Sequence, residues 1–293
     1  MTEPKQDIWS EWLLKRRFGD DPKQVEAVIN TLLPIREKVL SHANLGENQI
    51  LLDVGCGDGL IAFSALEAND SCRVIFSDVS QALLHQAQQI AEEKALLSRC
   101  QFVCNSATDL LDVADRSIDV LTTRSVLIYI SNKKEAFKEF YRVLKPKGRI
   151  SLFEPIVRFS YHESEHTFWG YDVLPIVDLA KKIKHIYRKA QPPETDPMLD
   201  FDERDLIAYA EEAGFKEVYL ELQVKVKPKS DTPTWNTVFH IAPNPKAPSL
   251  AEALNQALTP AERERFVNHL RPLLESEEGT TRSAVAYLWA TKS

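Results

Sequence analysis

Between residues 49 and 154, short apolar runs alternate with segments that have helical periodicity. The apolar runs are QILLDV, RVIFSD, QFVCN, SIDVLTT and RISLFE. Helical patterns follow the second and fourth runs, with Ser80 and Asn132 in the N-cap positions. Strands that are apolar throughout and alternate with helices are typical of parallel sheets covered on both faces. The pattern therefore predicts a doubly wound α/β fold.

The alternation breaks after Glu154 and resumes at a helix that Asp202 caps and Gly214 ends. The segments KEVYLELQVKV and SAVAYLWATK then have the pattern of two further strands. Seven strands are therefore predicted, and two irregular stretches remain, at about 155–200 and 228–281. We expect both stretches to be cap inserts over a ligand crevice.

Residues 1–45 have helical patterns and precede the first strand, so they are predicted to form a helical N-terminal extension of a main domain at 46–293. Trp9 and Trp12 lie at helical spacing within this extension. Two interpretations of the tryptophans stay open. They either close over a bound cofactor or anchor the N-terminal helix.

Composition limits the classes of partner. The 293 residues carry a net charge of −7, which provides no electrostatic footprint for nucleic acid or an anionic membrane. A small, roughly neutral or cationic partner is favoured instead. The N-terminus lacks the apolar core of a signal peptide, and no stretch approaches the roughly 20 apolar residues of a membrane span. A cytoplasmic location is therefore expected, and the sequence indicates no oligomeric state.

The stretch LLDVGCGDGL at 51–60 predicts a ligand site. Asp53 ends the first strand, and three glycines form the turn into the next helix. In doubly wound sheets, ligands lie outside the carboxyl ends of the strands near the point where strand order reverses. Asp78 ends the second strand, where its carboxylate can accept hydrogen bonds from both hydroxyls of a ribose. The alternative is a tight strand-to-helix connection without a ligand, which the position of Asp78 makes less favoured.

The nicotinamide fingerprint requires a last glycine where this chain has Leu60. The chain instead resembles the class I S-adenosylmethionine-dependent methyltransferases that have a Rossmann-like, methyltransferase type 11/25-like domain. The resemblance spans roughly residues 49–154. Its motifs are LLDVGCGDG, Asp78, NSATDLL, SIDVLTTRSVLIYI and FYRVLKPKGRISLFEP. It implies a mostly parallel seven-stranded sheet, with SAVAYLWATK as an antiparallel seventh strand beside the sixth.

The resemblance also implies S-adenosyl-L-methionine as the cofactor and identifies the positions that bind it. Many members of the family have an acid where Ser106 stands here, so the contact with the adenine amino group is expected to differ. The implied positions are Asp53, Gly55, Cys56 and Gly57 around the methionine portion, Asp78 and Val79 at the ribose, Ser106 and Ala107 beside the adenine, and the backbone near Thr123 and Arg124 at the donor amine.

Methyl transfer from a sulfonium depends mostly on aligning the acceptor and excluding water, so a catalytic base is not strictly required. Two catalytic candidates stand near the predicted crevice. Glu154 ends the fifth strand, where it could act as a general base or hold a cap residue such as Arg158. Tyr129 follows the fourth strand, where its ring could instead pack in the core.

The cap segment FSYHESEHTFWGYD contains an H-E-x-x-H pattern, which is typical of zinc peptidases when it lies on a helix. Charged Glu165, the polar flanks and the lack of a third ligand disfavour that interpretation, so no metal is expected. The segment is predicted to line an acceptor pocket, with an ordinary surface turn as the alternative. The pocket residues would be His162, His166, Trp169 and Tyr171.

The sequence is therefore interpreted as a methyltransferase that transfers a methyl group from S-adenosylmethionine to a small molecule in a capped pocket. Three alternatives stay open. They are an RNA or protein methyltransferase, a non-catalytic S-adenosylmethionine-binding module and, more remotely, a zinc hydrolase that uses HESEH. The acidity of the chain disfavours the RNA acceptor. The basic helical stretch VDLAKKIKHIYRKA is expected to be an ordinary amphipathic helix rather than an RNA-binding surface.

Overall fold

The computed structural model describes residues 4–19, 21–161, 164–229, 233–276 and 278–293. Seven strands in these ranges form one sheet in the order β3-β2-β1-β4-β5-β7-β6. The strands are β1 (Ile50–Val54), β2 (Arg73–Asp78), β3 (Cys100–Cys104), β4 (Ile118–Arg124), β5 (Leu144–Pro155), β6 (Glu217–Pro228) and β7 (Thr280–Thr291). Every predicted strand is present, and the predicted mostly parallel α/β fold is confirmed.

Strands β1 to β5 run parallel, and β7 is inserted between β5 and β6, antiparallel to both. The antiparallel seventh strand beside the sixth is therefore confirmed. The order of the strands reverses between β1 and β4, where Val54 pairs with Thr123. Connections leave this point toward opposite sides, which opens a crevice at the carboxyl ends of the two strands.

Eleven helices lie in the described ranges and cover the sheet or form the inserts. The predicted caps are present, because Ser80 and Asp202 accept backbone N–H bonds and Gly214 ends its helix in the left-handed region. The helices are α1 (Ile8–Glu11), α2 (Pro22–Ala43), α3 (Leu60–Ala68), α4 (Gln81–Glu93), α5 (Lys133–Val143), α6 (Val157–Ser160), α7 (Val177–Ala190), α8 (Glu203–Ala213), α9 (Trp235–His240), α10 (Leu250–Ala257) and α11 (Pro260–Glu275). A π-helical segment, Trp12–Arg16, continues α1, and 3-10 turns lie at Leu97–Arg99, Leu127–Tyr129 and Leu174–Ile176.

The N-terminal extension packs directly on the sheet. Val39 of α2 is fully buried, and its carbonyl accepts a hydrogen bond of 2.8 Å from the hydroxyl of Ser151 in β5. The guanidinium of Arg149, also in β5, donates to the carbonyls of Ala43 and Asn44 at the end of the helix. Helix α2 is thus part of the cover of the sheet.

The two inserts share an apolar core of their own. Ile183 of α7, Leu250 of α10 and Phe266 of α11 are fully buried in one cluster. Because the helices of each insert have one apolar face, they bury these faces against each other. In the described part of the chain, no helix has the length and apolarity needed to cross a membrane.

Candidate active site

A cavity of about 680 Å³ lies at the carboxyl ends of β1, β2 and β4. Its floor comes from the strand ends and the loops that follow them, as doubly wound sheets favour. The N-terminal segment covers it from above. Lining residues include Val54, Gly55 and Gly57 after β1, Asp78 and Val79 after β2, Asn105 to Thr108 after β3, Arg124 to Val126 and Ile128 to Asn132 after β4, and Trp9, Trp12, Leu13 and Arg17 from the N-terminal segment.

The glycine loop adopts a backbone conformation that other residues disfavour. Gly55 and Gly57 have φ of 66° and 56°. A Cβ at Gly55 would come within 2.3 Å of the Val126 side chain, so internal packing excludes a side chain there. A Cβ at Gly57 would meet only Leu13, at 3.1 Å, on the side that faces the cavity and the N-terminal segment. Gly57 is therefore the position at which the bare backbone faces the cavity.

Asp78 combines a structural contact with two free acceptor positions. Its carboxylate is 7% exposed and accepts the N–H of Gly57 and of Ser80, each at 2.9 Å and each through a different oxygen. Burial raises the pKa of this carboxyl group. Each carboxylate oxygen has a second lone pair. The side chain lines the cavity, and this geometry fits the two hydroxyls of a ribose.

Three of the predicted cofactor residues lie beneath the cavity without lining it. Asp53 is 2% exposed, accepts the Thr122 hydroxyl at 2.8 Å, and has its pKa raised by burial to about 7. The side chains of Cys56 and Thr123 are buried as well. The side chains of Asp53, Cys56 and Thr123 do not line this cavity, and their predicted place around the cofactor stays a prediction.

The residue predicted at the ribose edge, Val79, and those predicted beside the adenine, Ser106 and Ala107, line the cavity. Val79 is 52% exposed, and Ser106 and Ala107 line the same wall. The Ser106 hydroxyl is hydrogen-bonded to the Thr108 hydroxyl at 2.9 Å, which positions a polar edge where the family often has an acid. Asn105 also lines this wall, and the sequence analysis did not identify it. Its position directly after β3 could have indicated that it lies at the strand-end cavity.

Glu154 does not face the cavity. It is 1% exposed, and its carboxylate accepts the backbone N–H groups of Val126, Leu127 and Ile128 at 2.9, 3.0 and 3.2 Å. Burial raises its pKa to about 7. Glu154 fixes the loop after β4, and its hydrogen bonds go to that loop rather than to Arg158. Its part as a general base stays a prediction.

Tyr129 lines the cavity and also packs, partly buried, against the hydrophobic core. Its ring meets that of Trp9 edge to face, with centroids 4.9 Å apart. No described residue hydrogen-bonds its hydroxyl, and burial raises its pKa, so the phenol keeps its proton at neutral pH. A protonated phenol in this position is available to donate a hydrogen bond to a ligand.

The N-terminal segment lines the cavity and is anchored to the second insert, while closure of the tryptophans over a cofactor stays a prediction. Trp12 lines the cavity and donates its indole N–H to the carbonyl of Ala242 at 2.9 Å. The Ala242 N–H donates in turn to the Arg16 carbonyl at 2.9 Å, and Arg16 pairs with Glu252 at 2.6 Å. The second insert thus anchors the lid, which is the N-terminal segment that lines the cavity.

The described cap residues His166, Trp169 and Tyr171 do not line this cavity, and the predicted acceptor pocket in the cap stays a prediction. His166 is exposed, and Tyr171 is 1% exposed in the core of the inserts. Trp169 stacks on Phe168 with centroids 4.7 Å apart and lines a second cavity of about 1010 Å³. His162 lies outside the described residues. Within the described residues, no group of three or more His, Cys, Asp and Glu side chains is arranged to hold a metal.

The comparisons with known proteins agree with this geometry. Residues 52–152 match a family model described as a methyltransferase domain. The ubiquinone/menaquinone biosynthesis C-methyltransferase UbiE of Legionella pneumophila (strain Lens) is 26% identical over 183 residues, which cover 61% of this chain and 71% of that protein. UbiE of Dinoroseobacter shibae is 35% identical over 106 residues, 36% of this chain and 42% of that protein.

A solved structure shares the fold over almost the whole chain. It is the phosphoethanolamine N-methyltransferase 2 of Haemonchus contortus in complex with S-adenosyl-L-methionine, with a TM-score of 0.52 and 16% sequence identity. The match covers 97% of this chain and 56% of that one. Residues 52–152 therefore contain a methyltransferase domain, and the comparisons support a class I S-adenosylmethionine-dependent methyltransferase with S-adenosyl-L-methionine as its cofactor.

Proposed function

We propose that the protein methylates a small molecule that binds between the strand ends and the N-terminal segment, in the 680 Å³ cavity. The observation that carries the proposal is the composition of this one cavity. The glycine loop and Asp78 form one side of it, and Trp9, Trp12 and Tyr129 form the other. A donor site and an aromatic acceptor site would therefore share one cavity.

The donor side fits S-adenosyl-L-methionine. Asp78 would accept the ribose hydroxyls through its remaining lone pairs, and Gly57 would let the methionine portion lie against the backbone. Val79, Ser106 and Ala107 would flank the adenine. When bound, the cofactor supplies a methyl group on a sulfonium, which is already a strong donor.

The acceptor side supplies position and shielding. Trp9, Trp12 and Tyr129 present apolar ring surface, and the Tyr129 hydroxyl would orient a polar group of the acceptor. Glu154 keeps the loop that carries Tyr129 in place through its three backbone hydrogen bonds. The reaction would thus depend on alignment and on exclusion of water beneath the anchored lid rather than on a general base.

Size and charge favour a small acceptor. Small-molecule pockets have volumes of roughly 300 to 1000 Å³, and this cavity lies within that range. A net charge of −7 disfavours RNA. The UbiE relatives are named as C-methyltransferases of ubiquinone and menaquinone biosynthesis, which also supports a small-molecule acceptor.

The proposal is tested with S-adenosylmethionine that carries a radiolabelled methyl group. The purified protein is incubated with a cell extract, and the label is followed into small-molecule, RNA and protein fractions. We expect label in the small-molecule fraction, with a strong decrease for Asp78→Ala and no change for the exposed control Asp70→Ala. Label that enters RNA or protein instead would support the macromolecular alternatives, and absence of any transfer would refute the proposal.

A further inference from the structure

Two guanidinium groups line the cavity without a counter-ion. Arg17 comes from the N-terminal segment and Arg124 from the end of β4. Among the described residues, neither side chain forms an ion pair or a hydrogen bond with a protein acceptor. The Arg17 guanidinium carbon lies 5.6 Å from the Trp12 ring centroid and 5.4 Å from that of Phe18, so its contacts are aromatic faces.

The nearby acids do not neutralise this pair. Asp58 attracts Arg17 and Asp53 attracts Arg124, but neither carboxylate reaches ion-pair distance. Asp78 also lines the cavity, but its carboxylate accepts the N–H groups of Gly57 and Ser80 and forms no ion pair with either arginine among the described residues. Burial lowers the pKa of Arg17, and the positive charge of Arg124 lowers it further.

The donor can satisfy only part of this charge. S-adenosylmethionine has one carboxylate, one ammonium group and one sulfonium, so it carries a net positive charge. Its carboxylate can pair with one guanidinium, while its two cationic centres add to the positive potential of the cavity. A partly buried cation without an anion is costly, so a second anion is expected from the remaining ligand, the acceptor.

We propose that the methyl acceptor is an aromatic or apolar small molecule that carries an anionic oxygen group, a carboxylate or a phosphate. The pair formed by Arg17 and Arg124 would bind this group together with the donor carboxylate. The rings of Trp9, Trp12 and Tyr129 would hold the apolar part. This inference rests on the proposed function and adds the class of its substrate.

Calorimetry with the protein saturated with S-adenosylhomocysteine tests the inference. The probes are phenylacetate, phenyl phosphate and the uncharged phenylacetamide, which share a ring and differ in charge. Because hydrogen bonds to charged groups are strong, we expect at least one acid to bind roughly 10-fold or more tightly than the amide. The tighter acid distinguishes a carboxylate acceptor from a phosphate acceptor. Equal affinity of acid and amide, or no binding of either acid, would overturn the inference.

Variants then test the two arginines. We expect Arg17→Gln or Arg124→Gln to reduce the preference for the acid to less than about 3-fold, since one charged contact is lost. Lys15→Gln is the matched control, because Lys15 lies exposed on the same segment and does not line the cavity. A preference that survives in both arginine variants would contradict the inference. If S-adenosylhomocysteine itself fails to bind the wild type, the proposed function fails and the inference with it.

Discussion

Two cavities formed by described residues, the strand-end cavity and the cap cavity, both have aromatic and cationic linings but are supported differently. Both contain aromatic rings and cationic side chains, but they share no lining residue. The cavity at the strand ends is built on buried polar groups, such as Asp78 and Glu154, whose backbone hydrogen bonds fix the loops around it. The cap cavity has exposed charges on its wall, such as the ion pair of Lys181 and Glu165.

This difference teaches where binding specificity can be built. An exposed ion pair contributes little free energy and tolerates many geometries. A buried carboxylate with several N–H donors has one geometry, because a displaced buried charge costs much more. The described aromatic residues of the cap segment do not line the strand-end cavity, whereas the predicted residues Gly57 and Asp78 do. Four predictions test this contrast, from the largest expected effect to the smallest.

Gly57→Val should have the largest effect. A branched residue disfavours the φ of 56° at this position, and its side chain would enter the side of the cavity where Leu13 lies. We expect binding of S-adenosylmethionine to weaken by more than about 100-fold, beyond the loss of a single hydrogen bond. Calorimetry is the measurement, and Gly46→Ala, outside the cavity, is the control. Normal binding by a folded Gly57→Val protein would reduce this glycine to a turn residue.

Glu154→Gln should change the pH dependence of stability. Burial raises the pKa of Glu154 to about 7 in the folded state, above the ordinary value of 4.5. The folded state therefore binds the proton more tightly, and this contribution to stability is present below about pH 4.5 and is lost as pH rises through about 7. We expect the wild type to lose up to about 3 kcal/mol over this window relative to Glu154→Gln.

Urea unfolding at a series of pH values measures this effect. The matched control is Glu165→Gln in the cap cavity, where the carboxylate is exposed and Lys181 lowers its pKa. We expect the control to keep the pH profile of the wild type over this window. An unchanged profile in Glu154→Gln would mean that this buried carboxylate is not the source of the pH dependence.

Asp78→Ala should weaken binding of S-adenosylmethionine by roughly 10- to 150-fold, because the ribose loses charged hydrogen bonds worth about 1.5 to 3 kcal/mol. Loss of its bond to the Gly57 N–H would add to this effect by loosening the glycine loop. Calorimetry on the folded variant checks the prediction, with Asp70→Ala as the exposed control. Unchanged affinity would remove Asp78 from the site.

His166→Ala should have the smallest effect. The side chain is exposed and does not line the strand-end cavity, so we expect S-adenosylmethionine affinity and methyl transfer to change less than about twofold, as for most surface substitutions. Isothermal titration and the radiolabel assay are the measurements. A large loss of transfer with intact cofactor affinity would restore the cap segment as part of the acceptor pocket.

The sequence alone predicted the sheet and several of the strand-end residues that line the cavity. All seven strands, the caps Ser80 and Asp202 and the antiparallel last strand depend on local pattern and neighbouring residues, which sequence displays directly. Gly57 and Asp78 could likewise be predicted from local sequence. They end or follow parallel strands, and the carboxyl ends of such strands meet at one edge of a sheet for topological reasons.

The tertiary structure decided the rest. Trp12 and Ala242 are 230 positions apart, so no local pattern predicts the hydrogen bond that anchors the lid. The direction of Glu154 depends on which face its strand presents to the loop after β4, and Tyr171 is buried because the inserts need a core of their own. Local spacing thus determined the elements and the strand-end residues. The wall of the cavity that the N-terminal segment forms depended on long-range packing, because its segments meet only when apolar surface is buried.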